Sequence, residues 1–246
     1  IMTEDGIIAA RDKYGRTPIV IGKSNDSYSA TFETCLFPSL GFQVEKYLGP
    51  GEIVFFNSSC LEILKQASND LRICAFLWVY YGYPSSCYEG INVERVRNDN
   101  GYIMAKEDNA DVDFIAGIPD SGIGHALGYS NQTKIPYTRP FVKYTPTWAR
   151  SFMPPTQSTR ELVARMKLIP IKEFIQGKRI LFCDDSIVRG TQLKDNVSRL
   201  YAEGIQEVHM RASCPPLIFA CPYLNFSRSK SRFDLATIRA ISELEN

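Results

Sequence analysis

From about Leu71 onward, strand-like apolar runs alternate with helix-length segments, and this alternation constrains the fold more than any other feature of the chain. Residues 72–81, 113–118, 139–143, 179–183 and 207–212 read as strands, and residues 124–131, 158–167 and 191–202 read as helices. Strand, crossover helix, strand, repeated, requires a mostly parallel sheet covered on both faces, so the expected class is α/β. In such sheets ligands gather at the carboxyl ends of the strands.

The first part of the chain has a different rhythm. Residues 6–11, 17–23, 27–33 and 52–56 are short β-rich runs parted by turn residues such as Asp12 to Gly15 and Ser24 to Asp26. They read as consecutive antiparallel hairpins. These strands are too few to close a sandwich, and so small a remnant is marginal alone, so an upstream half of the same domain is expected. The expected division is residues 1–68 for this antiparallel remnant and 69–246 for the α/β domain.

Composition removes several classes of function. With 28 Lys+Arg against 27 Asp+Glu, the formal charge of +1 gives no electrostatic reason for a nucleic-acid or acidic-membrane partner. No apolar run approaches the roughly 18 residues of a membrane helix. Seven cysteines without regular spacing do not form a disulfide framework, and they point to a reducing, cytoplasmic compartment.

The sharpest chemical signal is the run Arg179-Ile-Leu-Phe-Cys-Asp184-Asp185-Ser186-Ile187-Val188-Arg189-Gly190-Thr191. An apolar strand delivers two carboxylates to its C-terminal edge, and a turn of small and hydroxyl residues then opens a helix. The amides of that turn and the positive helix end suit a phosphate, with Ser186 and Thr191 adding hydroxyl donors. The carboxylates cannot serve a phosphate directly, so they face sugar hydroxyls or a divalent cation. A sugar phosphate fits both halves. A second loop, Ala116-Gly-Ile-Pro-Asp120-Ser121-Gly122-Ile-Gly124, also leaves an apolar strand for a helix, and its glycines admit an anion close to the backbone. Of the two histidines, His125 reads as a solvent-facing or capping residue and His209 as a buried strand residue. Trp78, Tyr80 and Tyr81 read as packing residues of a strand.

The thirteen-residue run resembles the 5-phosphoribosyl-1-diphosphate (PRPP) signature of type I phosphoribosyltransferases. The resemblance implies that Asp184 and Asp185 contact the ribose hydroxyls and Mg2+, and that Ser186 to Thr191 hold the 5'-phosphate. The second loop resembles the diphosphate loop of the same proteins, which assigns Asp120, Ser121 and Gly122 to diphosphate and brings Ser121 near the metal. The likeness narrows further with Tyr83-Pro-Ser-Ser-Cys-Tyr-Glu-Gly90, Pro154-Pro-Thr-Gln157-Ser-Thr-Arg160 and Met166-Lys167, which follow the order found in the glutamine PRPP amidotransferases. Ala10-Arg-Asp12-Lys-Tyr-Gly15 and Phe32-Glu-Thr-Cys35 resemble the second half of that family's glutaminase domain.

What this likeness implies is the transfer of a phosphoribosyl group from PRPP to ammonia derived from glutamine, the entry step of purine synthesis. It implies purine nucleotides as inhibitors and a homo-oligomer. Three departures qualify it. The family's glutaminase nucleophile is an N-terminal cysteine, whereas Ile1 begins this sequence and Cys35 matches a non-catalytic position; glutamine hydrolysis is therefore not expected of these residues. Cys74 and Cys221 match two ligand positions of the iron-sulfur branch, but a [4Fe-4S] cluster needs four thiolates, so a cluster is expected only of a longer parent. Cys214 reads as core. The segment from Phe141 to Phe152 differs from the family's loop that closes over PRPP, although Lys143 and Arg150 keep cationic roles there. Two alternatives stand beside this reading: a phosphoribosyltransferase acting on a nucleobase, and a non-catalytic PRPP-binding regulator.

Overall fold

The computed structural model describes residues 1–143, 168–221, 223 and 231–245. Two compact units divide the chain, Ile1–Val96 and Arg97–Asn246.

The first unit is antiparallel. Strands β1 (Ile7–Ala10), β5 (Ile53–Phe56) and β6 (Leu61–Lys65) form one sheet in the order β1-β5-β6. Strands β2 (Val20–Lys23), β3 (Tyr28–Thr31) and β4 (Gln43–Tyr47) form a second in the order β3-β2-β4. Between β3 and β4 lies a single helical turn, α1 (Leu36–Ser39). Ala9, Ile21, Leu48, Val54 and Phe56 are buried together as the core of this unit.

Not every strand pairs with its neighbour in sequence. β2–β3 and β5–β6 are hairpins, but β1 pairs with β5, through Ile7↔Phe56 to Ala10↔Ile53. Arg11 explains the detour. Its buried guanidinium donates to Gly15 O at 2.6 Å and to Leu48 O, closing the 12–15 turn on itself instead of leading into a hairpin. Pro18, which lacks an N–H, then delays the next strand to Val20.

Residues 72–81 do not form a strand. Leu77–Tyr81 is a π-helical turn in which Trp78 alone is buried, its Nε1 donating to Ile91 O at 3.0 Å and its ring edge-on to Tyr88. A short apolar run fits a strand and a buried helical turn equally well, and here the aromatic cluster with Tyr88 and Val93 decides. The small hairpin β7 (Cys87–Tyr88) and β8 (Ile91–Asn92) follows, with Tyr88 Oη donating to Glu33 at 2.5 Å.

The second unit is built on a parallel sheet of order β13-β12-β9, with β9 (Phe114–Gly117), β12 (Arg179–Asp184) and β13 (Glu207–Ala212). Ile180, Leu181, Phe182 and Cys183 are all fully buried, as a central strand covered on both faces requires. Around the sheet lie α2 (Val93–Lys106), α3 (Gly122–Thr133), α4 (Lys172–Ile175) and α5 (Thr191–Ala202). The helix α5 turns Leu193, Asn196, Val197 and Leu200 inward, the i, i+3, i+4, i+7 stripe of an amphipathic helix. Two core clusters result, one of Ile115, Ala126, Tyr129, Leu181 and Cys183, and one of Ala116, Phe141, Ile180, Phe182 and Leu200.

The expected strand over 139–143 does not join the parallel sheet. β10 (Phe141–Lys143) pairs antiparallel with β11 (Leu168–Pro170) as a separate ribbon. What lies beside β9 is the preceding stretch, through a parallel bridge Ile115↔Tyr137 and the bond from Thr138 N–H to Ile115 O at 2.8 Å. Pro140 then ends that contact, since it has no amide to donate. The helix expected over 158–167 lies outside the described residues.

Within this unit, α2 and α3 approach more closely than side chains allow. A Cβ on Gly128 would lie 1.9 Å from Asn98 O, and one on Gly101 would lie 1.8 Å from His125 O. Gly128→Ala therefore forces the helices apart, and since α3 carries the Ser121 loop, stability and site geometry should suffer together. A loss of about 2 kcal/mol or more in urea unfolding is expected. A variant as stable as the parent would refute the close-packing account.

Candidate functional site

The register Cys183↔Gly117 sets the carboxyl ends of β12 and β9 side by side. Two loops leave this edge. One runs from Asp184 through Asp185, Ser186, Ile187, Val188 and Arg189 to Gly190, whose φ of +75° makes the sharp entry into α5 at Thr191. The other runs from Gly117 through Asp120 and Ser121 into α3 at Gly122.

Glycine is obligatory where the loops touch. A Cβ on Gly122 would meet Cys183 O at 2.4 Å, and one on Gly117 would meet Gly122 O at 2.6 Å. Without side chains there, Ile118 N–H donates to Cys183 O at 2.9 Å and the helix start sits directly on β12. On the other side, Ser213 N–H donates to Asp184 O at 2.9 Å, bringing the end of β13 to the same edge.

This packing joins the two loops through one carboxylate. Asp185 is only 8% exposed; its Oδ2 accepts from Ser121 Oγ at 2.5 Å and its Oδ1 from Ser186 Oγ at 2.7 Å. The amide of Asp185 donates to Asp184 Oδ1 at 2.9 Å. Burial first, and then the neighbouring Asp185 charge, push the Asp184 carboxyl up to about 7. Cys214 lies close enough to feel the pair: burial, then Asp185 and Asp184, push its thiol up to about 11. Cys183 is buried in the strand and its thiol is pushed up to about 12 by burial.

The remaining candidates fall around this centre. Lys143, at the end of β10, forms an ion pair with Asp120 in the second loop; both side chains are more than a third exposed, so the pair contributes at most about 1 kcal/mol. Ile187 and Val188 are half-buried, while Arg189 and Thr191 are exposed. Arg150 lies outside the described residues. His125 is fully buried, not solvent-facing, and its carbonyl oxygen lies against Gly101 of α2. His209 is half-exposed and lies 3.2 Å from Glu207, two residues back on the same face of β13, which is the outer strand of the sheet.

Asp184, Asp185, Ser121 and Ser186 offer hard oxygen atoms, the donor set that suits Mg2+ completed by waters and phosphates. Among the described residues no group of three or more His, Cys, Asp or Glu side chains converges on a point. Cys74 is exposed in the first unit, and Cys221 is half-buried in the second.

Two sets of residues at the site carry no local motif. Arg211 on β13 donates to Asp108 Oδ1 at 2.9 Å, and Tyr129 Oη donates to Asp108 Oδ2 at 2.7 Å, a network behind the acidic pair that holds the Asp108 carboxyl below its usual range. The C-terminal segment also reaches the site. Ahead of helix α6 (Ala236–Leu244) stands a 3-10 turn, Arg232–Asp234; Ala236 N–H donates to Val188 O at 2.9 Å and Arg239 Nη2 to Arg189 O at 2.7 Å. Partners so distant in sequence leave no pattern within a short window.

Adjacent parallel strands, an acidic pair with a hydroxyl turn, and a glycine-serine loop at the neighbouring helix start define an α/β fold of the type I phosphoribosyltransferase kind. Comparison with known proteins agrees. The chain is 37% identical over 224 residues to the amidophosphoribosyltransferase of Bacillus subtilis, covering 91% of this chain and 47% of that protein. It is 38% identical over 249 residues to that of Synechococcus elongatus, covering 99% and 50%. Among solved structures, the B. subtilis glutamine PRPP amidotransferase complexed with ADP and GMP superposes with a TM-score of 0.84 at 33% identity, covering 98% of this chain and 54% of that one. A structure described as the allosteric regulatory enzyme of purine biosynthesis gives a TM-score of 0.79 at 36% identity, covering 89% and 47%. No family model matches. The chain is similar over nearly its whole length to amidophosphoribosyltransferases, and it spans about half the length of the curated relatives it matches.

The raised Asp184 carboxyl makes a stability prediction. A group whose folded pKa exceeds its unfolded value binds more protons when folded, so stability falls as pH rises from about 4 toward the folded value near 7. Asp184→Asn keeps an oxygen for the Asp185 amide and removes the charge. It should therefore be more stable than the parent at pH 8, with the gain vanishing near pH 4. Urea unfolding at both pH values checks this, and a pH-independent difference would contradict it.

Proposed function

We propose that residues 69–246 form the phosphoribosyl-transfer domain of an amidophosphoribosyltransferase. The reaction replaces the diphosphate on C1 of PRPP with ammonia, giving 5-phosphoribosylamine and diphosphate. Residues 1–68 are proposed to belong to the glutamine-hydrolysing domain that supplies the ammonia. The observation that carries the reading is the bond from Ser121 to Asp185, which places the proposed diphosphate loop and the proposed ribose-phosphate loop on one carboxylate.

The chemistry follows from the charge that develops. As the bond from C1 to diphosphate lengthens, the ribose ring becomes positive and the leaving group gains negative charge. Asp184 and Asp185 lie where ribose hydroxyls would be held, with their negative charge near the ring. Mg2+ held by Asp184, Asp185 and the Ser121 hydroxyl would neutralise charge on the diphosphate. The 120–122 loop is assigned to the same leaving group, while Ser186 to Thr191 would receive the 5'-phosphate at the start of α5. Lys143, already beside Asp120, adds positive charge there, and Arg150 is assigned the same role on sequence grounds. Excluding water at this stage protects the sugar from hydrolysis.

The family likeness supports a wider setting: a cytoplasmic homo-oligomer regulated by purine nucleotides, as the ADP and GMP complex of the B. subtilis neighbour suggests for its own chain. Among the described residues no helix is long and apolar enough to cross a membrane.

The test is a titration. PRPP should bind the chain only with Mg2+, and Asp184→Asn combined with Asp185→Asn should abolish that binding while the circular dichroism spectrum stays native. Ammonium, and not a free purine or pyrimidine, should then release diphosphate. Unchanged PRPP affinity in the folded double variant would refute the site, and turnover with a nucleobase would move the reading to a base-using enzyme.

A further inference from the structure

We infer that the C-terminal segment, through the Ala236 amide and the Arg239 guanidinium, orients the anion-binding amides of the 186–190 turn, so that Arg239 is a positioning residue for the 5'-phosphate. The inference rests on the proposed function in one respect, that this turn receives the phosphate.

The argument begins with the peptide plane. In a trans peptide the C=O of one residue and the N–H of the next point in opposite directions. The only cis bond among the described residues is Pro119–Asp120, so the peptides joining Val188 to Arg189 and Arg189 to Gly190 are trans. Val188 O is held by the Ala236 amide at 2.9 Å, and Arg189 O by Arg239 Nη2 at 2.7 Å. Two successive carbonyls are thus fixed toward α6, and the amides of Arg189 and Gly190 are turned away from it. A turn that binds an anion needs its N–H groups pointed into the turn and its carbonyls pointed out, because a carbonyl facing a phosphate repels it.

Arg239 is itself fixed in place. Its Nη1 donates to Phe233 O and Asp234 O, both at 2.9 Å, the carbonyls of the 3-10 turn that precedes α6. One guanidinium therefore ties three carbonyls, two on the C-terminal turn and one on the phosphate turn. This uses the planar fork that arginine has and lysine lacks. Gly190, with its φ of +75°, would pack a Cβ 3.4 Å from Ala236 Cβ, so the helix lies directly behind the turn. A flexible glycine at the hinge of an anion turn would otherwise sample orientations that do not bind; bracing it removes that entropy before the ligand arrives.

Three ligands separate positioning from general stability: PRPP, ribose 5-phosphate and inorganic diphosphate, each titrated with Mg2+ by calorimetry. In Arg239→Ala, affinity for PRPP and ribose 5-phosphate should fall about tenfold, as the loss of a charge-assisted hydrogen bond predicts, while affinity for diphosphate, which uses the Asp120–Gly122 loop, stays as in the parent. Arg239→Lys should recover only part of the loss. Ala236→Pro is the second variant: it deletes the N–H to Val188 O at the first position of a helix, where proline is tolerated, and Leu235 before it is already extended. It should show the same ligand-selective loss. Equal losses for all three ligands, or none in folded variants, would overturn the inference. A parent chain that binds neither phosphosugar would instead overturn the functional reading beneath it.

Discussion

The pairing of β9 with β12 is the constraint on which the second unit depends. Parallel strands in register bring their carboxyl ends level, and Cys183↔Gly117 is the last rung before both chains turn away. Had either Gly117 or Gly122 carried a side chain, the start of α3 would stand off β12, because each Cβ would meet a backbone oxygen inside 3 Å. Ser121 would then be out of reach of Asp185. The same absence of side chains recurs at Gly101 and Gly128, where α3 lies against α2. A helix fixed by glycine on both sides has little freedom to shift, and this precision is what a site assembled from two loops requires.

Against that packing stands an electrostatic cost. Two adjacent carboxylates at the end of a buried strand repel each other and lose hydration, and the raised Asp184 carboxyl measures that opposition. The protein meets it in part: both oxygens of Asp185 accept hydroxyl hydrogens, and Asp184 accepts an amide hydrogen. None of these three donors is a cationic side chain. A pair neutralised by its own lysine or arginine would have little left to offer a cation or a sugar hydroxyl.

Much of this was legible in the sequence, for identifiable reasons. The run from Arg179 to Thr191 combines a continuous apolar strand, an acidic pair and a glycine before a helix, all within one short window, and the structure places each of these elements as read. The 139–143 and 72–81 runs were misplaced because short apolar stretches carry no period long enough to separate a central strand from a ribbon or a helical turn. The strand order of the first unit differs from the expected hairpins at β1, where the 12–15 turn is tied to buried Arg11 and β1 pairs with β5. His125 looked capable of facing solvent because it follows the second loop at the start of a helix; it is fully buried, and its backbone carbonyl lies against Gly101, more than twenty residues away in α2.

The contacts that no window contains are those that stiffen the site from behind. Arg211 reaches Asp108, and Asn100 Nδ2 donates to Ser213 O at 2.8 Å, so β13, the outer strand of the sheet, is tied to α2 and to the segment after it at the level of the acidic pair. Ser213 in turn gives its amide to Asp184 O. Asp184 is therefore held on both sides, by β9 through the bond from Ile118 to Cys183 and by β13 through Ser213. A buried carboxylate whose backbone could relax would turn toward water and lower its own pKa. With both neighbouring strands fixed, that route is closed, and the raised Asp184 carboxyl is a consequence of sheet architecture as much as of its charged neighbour.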